Sequence, residues 1–262
     1  MSKEEVRLFS KGQVCGDRYL VDTCIGKGTF AEVYTARDLQ DGQGLAWVAV
    51  KCAKPIHQDG RAMLRHEYRV LQALQADDGY VPEVFVFVEG SGERGPAIAM
   101  ELLGPSLGRI CKQRHKLTCR TVATIAVGLV EALEFIHGCG FIHRDVKPEN
   151  VCVRAVDAGL RVVVVDFGLA REHMKVKNGD VDVKAQREEV GFRGTTLFAS
   201  LAAQGQTDQS RRDDLWGCWY LMLFLLHGCL PWGGRHFQKP VILEAKGVLH
   251  KKLESVRRRA AL

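Results

Sequence analysis

The stretch that decides the fold reads His143-Arg144-Asp145-Val146-Lys147-Pro148-Glu149-Asn150 and, after an apolar run, Asp166-Phe167-Gly168. Between its two parts lie the mainly apolar runs 151–153 and 161–165, separated by an Asp-Ala-Gly turn signal at 157–159. Apolar runs on either side of such a turn are typical of a β-hairpin. Because a hairpin returns its two ends to the same edge of a sheet, the pattern predicts that the two polar parts meet.

The polar side chains that this hairpin would bring together are Asp145, Lys147, Asn150 and Asp166. Two carboxylates and an amide offer the hard oxygen ligands that Mg²⁺ prefers. A lysine beside them supplies a cation for a phosphoryl group in transfer. The sequence therefore predicts a site for Mg²⁺ and phosphate, and an accidental polar turn explains so many ordered residues less well.

The same stretch resembles the catalytic and metal-binding loops of the protein kinases, His-Arg-Asp-x-Lys-Pro-x-Asn followed by Asp-Phe-Gly. The resemblance implies that Asp145 orients the substrate hydroxyl and accepts its proton, while Asn150 and Asp166 hold Mg²⁺. It also implies that Lys147 steadies the γ-phosphate, which favours serine and threonine over tyrosine as acceptors. His143 is expected to pack structurally and has no catalytic role.

A glycine turn after the predicted strand 19–25 extends the resemblance. A Gly-x-Gly turn lets backbone N–H groups approach phosphate oxygens with no Cβ in the way. The turn resembles the glycine-rich loop of the kinases, although Ala31 stands where that loop has its third glycine. The residues that the resemblance assigns to the nucleotide here are Ile25, Gly26, Lys27, Gly28, Thr29, Phe30, Ala31, Glu32 and Val33.

A lysine and a glutamate further along complete the expected phosphate site. The predicted strand 46–52 resembles the kinase Val-Ala-x-Lys strand, which assigns Ala49 to the nucleotide site and Lys51 to the α- and β-phosphates. Residues 60–75 show apolar side chains at three- and four-residue spacing, which predicts a helix. Glu67 lies on that apolar stripe, and a buried partner such as Lys51 explains a charge there better than a solvated position does.

Two more strands are predicted at 84–88 and 96–100, and after the second the sequence continues as Glu-Leu-Leu-Gly-Pro-Ser-Leu at 101–107. The Gly-Pro bend predicts a linker between a strand-rich half and a helix-rich half. Main-chain groups of Glu101 and Leu103 are expected to be free for an adenine edge, because a linker strand lacks a full set of ladder partners. The run closely resembles the hinge of the casein kinase I family, which places Met100 at the back of the adenine pocket.

The helix-rich half shows further features of the casein kinase I group. Residues 118–137 are amphipathic and predict a helix that leads to His143. The run Ser-Arg-Arg-Asp-Asp-Leu at 210–215 looks like casein kinase I, and the tryptophan after it is closer to the tau-tubulin kinases. Asp214 is expected to bind backbone N–H groups of the catalytic loop and so to hold Asp145 still; a simple helix cap is the alternative.

One departure from this family concerns substrates. Residues 169–193 are polar and lack periodicity, which predicts a mobile activation segment. After it, Leu197 stands where casein kinase I has an arginine that helps to bind an anion. The basis for a preference for phosphate-primed substrates is therefore missing, although Arg193, Arg211 and Arg212 favour acidic sequences.

A second departure concerns length. After Pro231 the sequence predicts one helix, residues 241–259, with a basic face, whereas the family's catalytic domain continues for several helices. One side of the apolar helix 215–226 is therefore expected to be exposed. Two explanations agree with this pattern: a shortened product, or a fold that is completed with fewer helices.

The composition argues against a disordered, disulfide-rich, secreted or membrane-spanning protein. Apolar residues at 46% and charged residues at 26% are ordinary for a globular domain. A net charge of +6 mildly favours acidic or phosphorylated partners. Nine cysteines without a Cys-x-x-Cys pair, most of them inside apolar runs, predict that most of the thiols are buried and that the compartment is reducing. The N-terminus has no signal-peptide pattern, and the apolar run 215–226 is shorter than the about 20 residues that span a bilayer.

Together these patterns predict an α+β protein with a two-lobed protein-kinase fold: a small antiparallel-sheet N-lobe with one helix and a mainly helical C-lobe. The predicted boundaries are a lead-in at 1–17, an N-lobe at 18–100, a hinge at 101–107 and a C-lobe at 108–262. The resemblance implies a monomeric, cytoplasmic or nuclear serine/threonine kinase that uses ATP and Mg²⁺ on protein substrates, without membrane or nucleic-acid partners.

Two alternatives belong to other classes. The first is a nucleotide-binding interaction module that is kinase-shaped but inactive, which the short C-lobe favours. The second is a basic nucleic-acid-binding module, which no recognition motif supports.

Overall fold

An antiparallel sheet of six strands forms the first of two compact units, Met1–Gly104 with Val165–Gly168. The computed structural model describes residues 8–41, 46–55, 58–75, 79–90, 95–114, 116–157, 159–177, 180–185, 187, 191, 194–233 and 238–260. The strands are β1 (Val14–Cys15), β2 (Tyr19–Lys27), β3 (Ala31–Asp38), β4 (Trp47–Ala53), β5 (Val84–Val88) and β6 (Ala97–Glu101), in the spatial order β1-β2-β3-β4-β6-β5. Helix α1 (Gln58–Ala73) belongs to the same unit.

The second unit, Pro105–Val164 with Leu169–Leu262, is mainly helical. Its helices are α2 (Leu107–Arg114), α3 (Cys119–Gly138), α4 (Leu201–Gln204), α5 (Arg211–His227) and α6 (Lys239–Ala260). Its strands form three antiparallel pairs: β7 (Phe141–Ile142) with β10 (Arg171–Glu172), β8 (Val151–Val156) with β9 (Gly159–Val164), and β11 (Met174–Lys177) with β12 (Asp180–Val183). The predicted α+β class is confirmed.

Strand β4 shows how the sequence builds the two faces of the large sheet. Side chains alternate across a strand, so Val48 and Val50 pack with Tyr19 in a core on one face. On the other face, Ala49 packs with Met100, the residue opposite it on β6, and with Leu64 of α1. Helix α1 therefore covers the face of β4 that also carries Lys51.

The first residues of the described chain are not the loose lead-in that the sequence predicts. The Phe9 side chain is 5% exposed, and its backbone N–H donates to the Tyr34 hydroxyl at 3.2 Å. Strand β1 pairs with the start of β2, and its Cys15 joins the same core as Phe9. The prediction is wrong for residues 8–17, because their apolar side chains bury against β2 and β3.

The other predicted elements are confirmed with small shifts at their ends. Helix α1 covers most of the predicted 60–75, and the hairpin strands β8 and β9 are longer than predicted, with Val151 opposite Val164. Helix α3 begins after Thr118, whose side-chain oxygen accepts from the Thr121 N–H at 3.2 Å. Such a cap satisfies one of the N–H groups that the first turn leaves unpaired.

Helix α5 starts four residues before the apolar run predicts, because polar residues cap it. The Ser210 N–H donates to Asp213 Oδ2 at 2.7 Å, and Gly228 ends the helix with a φ of 76°. Helix α6 covers part of α5: Ile242 packs in one core with Tyr220 and Trp232.

The expected exposure of one side of α5 is also present. Leu215 is 47% exposed and Trp219 is 43% exposed, whereas Tyr220 and Leu221 are fully buried. Helix α6 therefore covers one side of the apolar helix and leaves another in contact with solvent.

Much of the segment predicted to lack regular structure, 169–193, is paired. Strand β10 pairs with β7, and β11 pairs with β12 in the register Met174 to Val183. Residues 178, 179 and several beyond 185 lie outside the described residues. Among the described residues, no helix combines the length and the apolar character needed to cross a bilayer.

Candidate active site

A lysine and two carboxylates form a cluster in the first unit. Lys51 Nζ donates to Glu67 Oε2 at 2.6 Å and Oε1 at 2.8 Å, and to Asp166 Oδ1 at 2.8 Å. Lys51 projects from β4 to the face that α1 covers, and α1 supplies Glu67, which is 2% exposed. The predicted contact between Lys51 and Glu67 is therefore present, and Asp166 joins it.

The cluster offers a cation for a phosphate group and, in excess of it, carboxylates for a metal ion. Burial would lower the pKa of Lys51, but the charges and hydrogen bonds of Asp166 and Glu67 outweigh it and raise the pKa above its ordinary value. The ammonium is therefore a permanent cation. One ammonium against two carboxylates leaves a net negative charge, and the Asp166 side chain is 45% exposed. An accessible carboxylate in such a cluster fits a divalent cation with oxygen ligands.

The glycine turn lies between β2 and β3, with residues 27–30 exposed. The Gly28 N–H donates to Ala31 O at 2.8 Å, and Phe30 O accepts from the Lys54 N–H at 2.8 Å. A Cβ added at Gly28 would lie 3.3 Å from Ala31 O, which is tighter than ordinary contact. The turn is thus compact, and a side chain at Gly28 would strain it.

Glu32 differs from the other residues assigned to this turn. Its carboxylate is 2% exposed and accepts hydrogen bonds from the Leu8 N–H, at 3.2 Å, and from the Tyr34 hydroxyl. The Glu32 side chain therefore binds the chain leading into β1, and its backbone alone stays a candidate for the nucleotide.

The residues assigned to the adenine pocket share one face of the sheet. Ala49 and Met100 are paired across β4 and β6, and Val33 packs against the same cluster. The Leu103 N–H and C=O have no hydrogen-bond partner among the described residues, as predicted. The Glu101 N–H, in contrast, donates to Glu83 O at 2.8 Å, so of the main-chain groups predicted to be free at Glu101 the N–H is already bound.

The second unit holds the other predicted residues around Asp145. Its Oδ2 accepts from Lys147 Nζ at 2.6 Å, and its Oδ1 accepts from the Thr195 N–H at 2.9 Å. Asn150 Nδ2 donates to Asp145 O at 3.0 Å and to Oδ2 at 3.2 Å. The Asp145 carboxylate is 8% exposed, and the bonds from its donors fix its direction. The structure thus brings Asp145, Lys147 and Asn150 together.

Asn150 fits the predicted role of metal ligand. Both of its described bonds use the amide nitrogen, and its amide oxygen accepts none from the described residues. An amide oxygen is a ligand type that Mg²⁺ accepts. Asp166, the other predicted ligand, belongs to the first unit, and its predicted meeting with Asn150 stays a prediction.

Asp214 of α5 supports the backbone before Asp145. Its Oδ2 accepts from the His143 N–H at 2.8 Å, and its Oδ1 accepts from the Arg144 N–H at 2.7 Å. His137 Nε2 lies 2.8 Å from the same Oδ2. Burial would raise the pKa of Asp214, but the bond to His137 and the other hydrogen bonds lower it below its ordinary value. The predicted contact is present, and Ser210, not Asp214, occupies the cap.

His143 packs as predicted. It is fully buried, and its Nδ1 accepts from the Asp145 N–H at 3.2 Å. Two non-glycine residues of the site adopt left-handed backbone: Arg144, with a φ of 69°, and Asp166, with a φ of 67°. Such conformations cost free energy and persist where surrounding contacts impose them, which is typical of functional sites.

Two residues of the second unit escaped the sequence analysis. Thr195 Oγ1 accepts from Lys147 Nζ at 2.9 Å, in addition to the bond from its N–H to Asp145. Asp208 is 4% exposed and binds the side chains of Arg171 and Arg187. Burial would raise the pKa of Asp208, but the Arg187 N–H and the two guanidinium groups lower it to about 2. Asp208 therefore anchors two points of the segment between Asp166 and Thr195.

The residues expected to favour acidic substrates are placed in part. Arg211 and Arg212 lie exposed in the first turn of α5, and Arg193 lies outside the described residues. Leu197, which stands where casein kinase I has an arginine, packs against the core that holds Trp232. Its backbone oxygen accepts from Trp232 Nε1 at 2.9 Å.

A comparison with known families supports the resemblance of the motifs. A family model described as "Protein kinase domain" matches residues 19–258. The match includes the glycine turn, the Lys51 cluster and the Asp145 loop, and it extends through most of α6.

Proposed function

The chain belongs to the protein kinase family, whose members are phosphotransferases, and we propose that it is a serine/threonine kinase. In this proposal it transfers the γ-phosphate of ATP to hydroxyl groups of protein substrates. The observation that carries the proposal is the arrangement around Asp145, whose carboxylate is held by Lys147 and by the Thr195 N–H.

The first unit would bind the nucleotide. Ala49, Met100 and Val33 offer an apolar surface for the adenine, and Leu103 offers an unpaired N–H and C=O for its edge. Lys51, fixed in direction by Glu67, would bind the α- and β-phosphates as a permanent cation. The exposed glycine turn would supply backbone N–H groups.

Asn150 and Asp166 would hold Mg²⁺, which when bound neutralises charge on the phosphates. The remaining chemistry falls to the second unit. Asp145 would accept a hydrogen bond from the substrate hydroxyl and take its proton as the bond to phosphorus forms. Because phosphoryl transfer passes through a loose transition state, positioning contributes more than the strength of the base.

Lys147 supports serine or threonine as the acceptor. Its ammonium contacts both Asp145 Oδ2 and Thr195 Oγ1, so a cation lies directly beside the proposed base. Such a cation would steady the transferred phosphoryl group next to an alcohol of low acidity. A tyrosine hydroxyl is more acidic and has less need of that help.

The proposal extends to the sequence around the phosphorylated residue of the substrate. Arg211 and Arg212 are exposed and would attract acidic side chains, whereas Leu197 provides no cation for a phosphate already on the substrate. We place the chain in the casein kinase I group on its hinge and on its Ser-Arg-Arg-Asp-Asp-Leu run. Acidic peptides without phosphate are therefore the expected substrates, and monomeric action in the cytoplasm or nucleus remains part of the proposal.

The test is transfer of labelled phosphate from Mg-ATP to dephosphorylated casein, followed by analysis of the labelled amino acids. Label on serine and threonine supports the proposal. Label on tyrosine alone would contradict the acceptor class. Binding of ATP without transfer would favour the inactive interaction module instead.

A further inference from the structure

A lysine is fully buried beneath the chain that follows the activation segment. Lys246 of α6 is 0% exposed, and its Nζ donates to Ala199 O at 2.6 Å and to Thr196 O at 2.8 Å. The ammonium also lies 4.9 Å from the ring centre of Tyr220 and 5.3 Å from that of Trp232. Within the part of the chain that the structure describes, no carboxylate pairs with it.

A buried lysine without a carboxylate is costly. Lysine is among the residues least often fully buried, because its charge loses the hydration that water supplies. That cost also lowers the pKa of Lys246 to about 7. Two carbonyl oxygens and two aromatic rings stabilise the ammonium and offset part of this cost. A leucine or methionine at this position would avoid the cost of burial but could not donate to the two carbonyl oxygens.

The carbonyls that Lys246 binds belong to a turn that touches the proposed base. The N–H groups of Phe198 and Ala199 both donate to Thr195 O at 3.0 Å, which closes the turn Thr195–Ala199. At the other end of Thr195, the N–H reaches Asp145 and the hydroxyl reaches Lys147. A continuous series of contacts therefore runs from Lys246 through the turn to the catalytic loop, all within the second unit.

Other side chains support the turn, but with neutral donors. Gln204 Nε2 of α4 donates to Thr196 O at 2.8 Å and to Ala199 O at 3.4 Å, and Trp232 Nε1 donates to Leu197 O at 2.9 Å. Lys246 binds the same two carbonyls as Gln204, and its bond to Ala199 O, at 2.6 Å, is much shorter than that of Gln204. Lys246 is therefore expected to contribute more than Gln204 to the conformation at the end of the turn.

We propose that Lys246 is a positioning residue for the peptide substrate, acting by holding the Thr195–Ala199 turn; the inference rests on the proposed kinase function. A peptide whose hydroxyl approaches Asp145 must pass the residues that follow Thr195, because Thr195 adjoins that carboxylate. A turn that is held in one form presents one surface to this peptide. Loss of Lys246 therefore weakens peptide binding and leaves nucleotide binding unchanged.

The test compares Lys246→Met with Lys246→Arg and with Lys251→Met, an exposed position on the same helix. Methionine keeps most of the length of the side chain and removes the terminal amine that binds the two carbonyls. We expect KM for an acidic serine peptide to rise about tenfold in Lys246→Met, with KM for ATP unchanged. Lys246→Arg should restore part of the loss, and Lys251→Met should behave as the native chain does.

A second measurement does not depend on activity. Hydrogen exchange at the Phe198 and Ala199 amides should become faster in Lys246→Met, because the turn that protects them loosens. If the native chain transfers no phosphate, the kinase proposal fails while this exchange still tests the role of Lys246. A folded Lys246→Met chain with native exchange and native peptide KM would overturn the inference. If that variant does not fold, Lys246→Gln is measured instead, and native values there would overturn it equally.

Discussion

The Asp214 carboxylate accepts the backbone N–H of Arg144 at 2.7 Å, although 70 positions separate the two residues in the chain. Arg144 has a φ of 69°, a backbone conformation that a residue with a side chain rarely adopts unaided. Asp214 is fully enclosed and binds the neighbouring His143 N–H as well. The strained backbone in front of Asp145 is therefore imposed by a buried acceptor on a helix of the core.

Replacing Asp214 by asparagine should remove one of its hydrogen bonds to the backbone before Asp145. The amide retains one acceptor oxygen, and its NH₂ group would face a backbone donor, so one buried N–H is left unpaired. We expect Asp214→Asn to lower the free energy of unfolding by about 2–3 kcal/mol and kcat by about tenfold or more. Asp157→Asn, at the exposed turn of the β8–β9 hairpin, is the matched control and should change neither. Urea unfolding and initial rates measure both quantities.

Glu67→Gln tests the cluster of the first unit. The substitution removes one of the two charges that hold Lys51, and Asp166 alone would then direct the ammonium. We expect KM for ATP to rise about tenfold and the free energy of unfolding to fall by about 1–3 kcal/mol. Glu89→Gln breaks an exposed ion pair with Arg65 and should cost less than about 1 kcal/mol. Equal effects of the two substitutions would argue against the proposed phosphate site.

The pKa of Asp208 predicts how acid affects stability. This pKa is about 2 in the folded chain and 3.8 in its ordinary state, so the unfolded chain takes up the proton first as the pH falls. The stabilisation from Asp208 is complete above about pH 4 and is lost as the pH falls toward 2. In Asp208→Asn this contribution is absent, so its stability should fall less over that window. Unfolding curves at pH 5, 4 and 3 would reveal parallel losses if the account is wrong.

The buried lead-in predicts a stability effect far from the catalytic loop. Phe9 is 5% exposed within the core beside Tyr34, so Phe9→Ala should lower the free energy of unfolding by about 3–4 kcal/mol. Phe85 is 43% exposed, and the same substitution there should cost less than about 1 kcal/mol. Urea midpoints of the two variants make the comparison, and similar midpoints would mean that residues 8–17 are not part of the core.

The elements that the sequence predicts well are those with long periodic patterns. The apolar stripes of α1 and α3 and the apolar runs of β8 and β9 all form the predicted structures, because their burial depends on spacing alone. Glu67 was found by the same reasoning, as a charge on an apolar stripe. Lys246 carries the same signal, since Ile242 and Leu249 flank it at helical spacing, but its partners are backbone oxygens and leave no trace in the sequence.

The missed features depend on contacts between distant segments. Thr195 and Asp208 bind residues far from them in the chain, and no local pattern distinguishes them from solvated side chains. The β11–β12 hairpin had a usable signal, since Asn178-Gly179 separates two short alternating runs, a sequence that favours tight hairpin turns. The apolar residues of 8–17 show no regular spacing, and their burial depends on the packing of Phe9 against the distant Tyr34.

The most direct test of the account is phosphate transfer by the native chain and by Asp145→Asn under identical conditions. Asparagine preserves the shape of the side chain and removes its capacity to accept a proton. We predict that the native chain labels casein from Mg-ATP, that Asp145→Asn loses about a thousandfold or more of this rate, and that both bind ATP alike. Equal transfer by the two proteins would contradict the role of Asp145, and ATP binding without transfer by the native chain would contradict the kinase proposal itself.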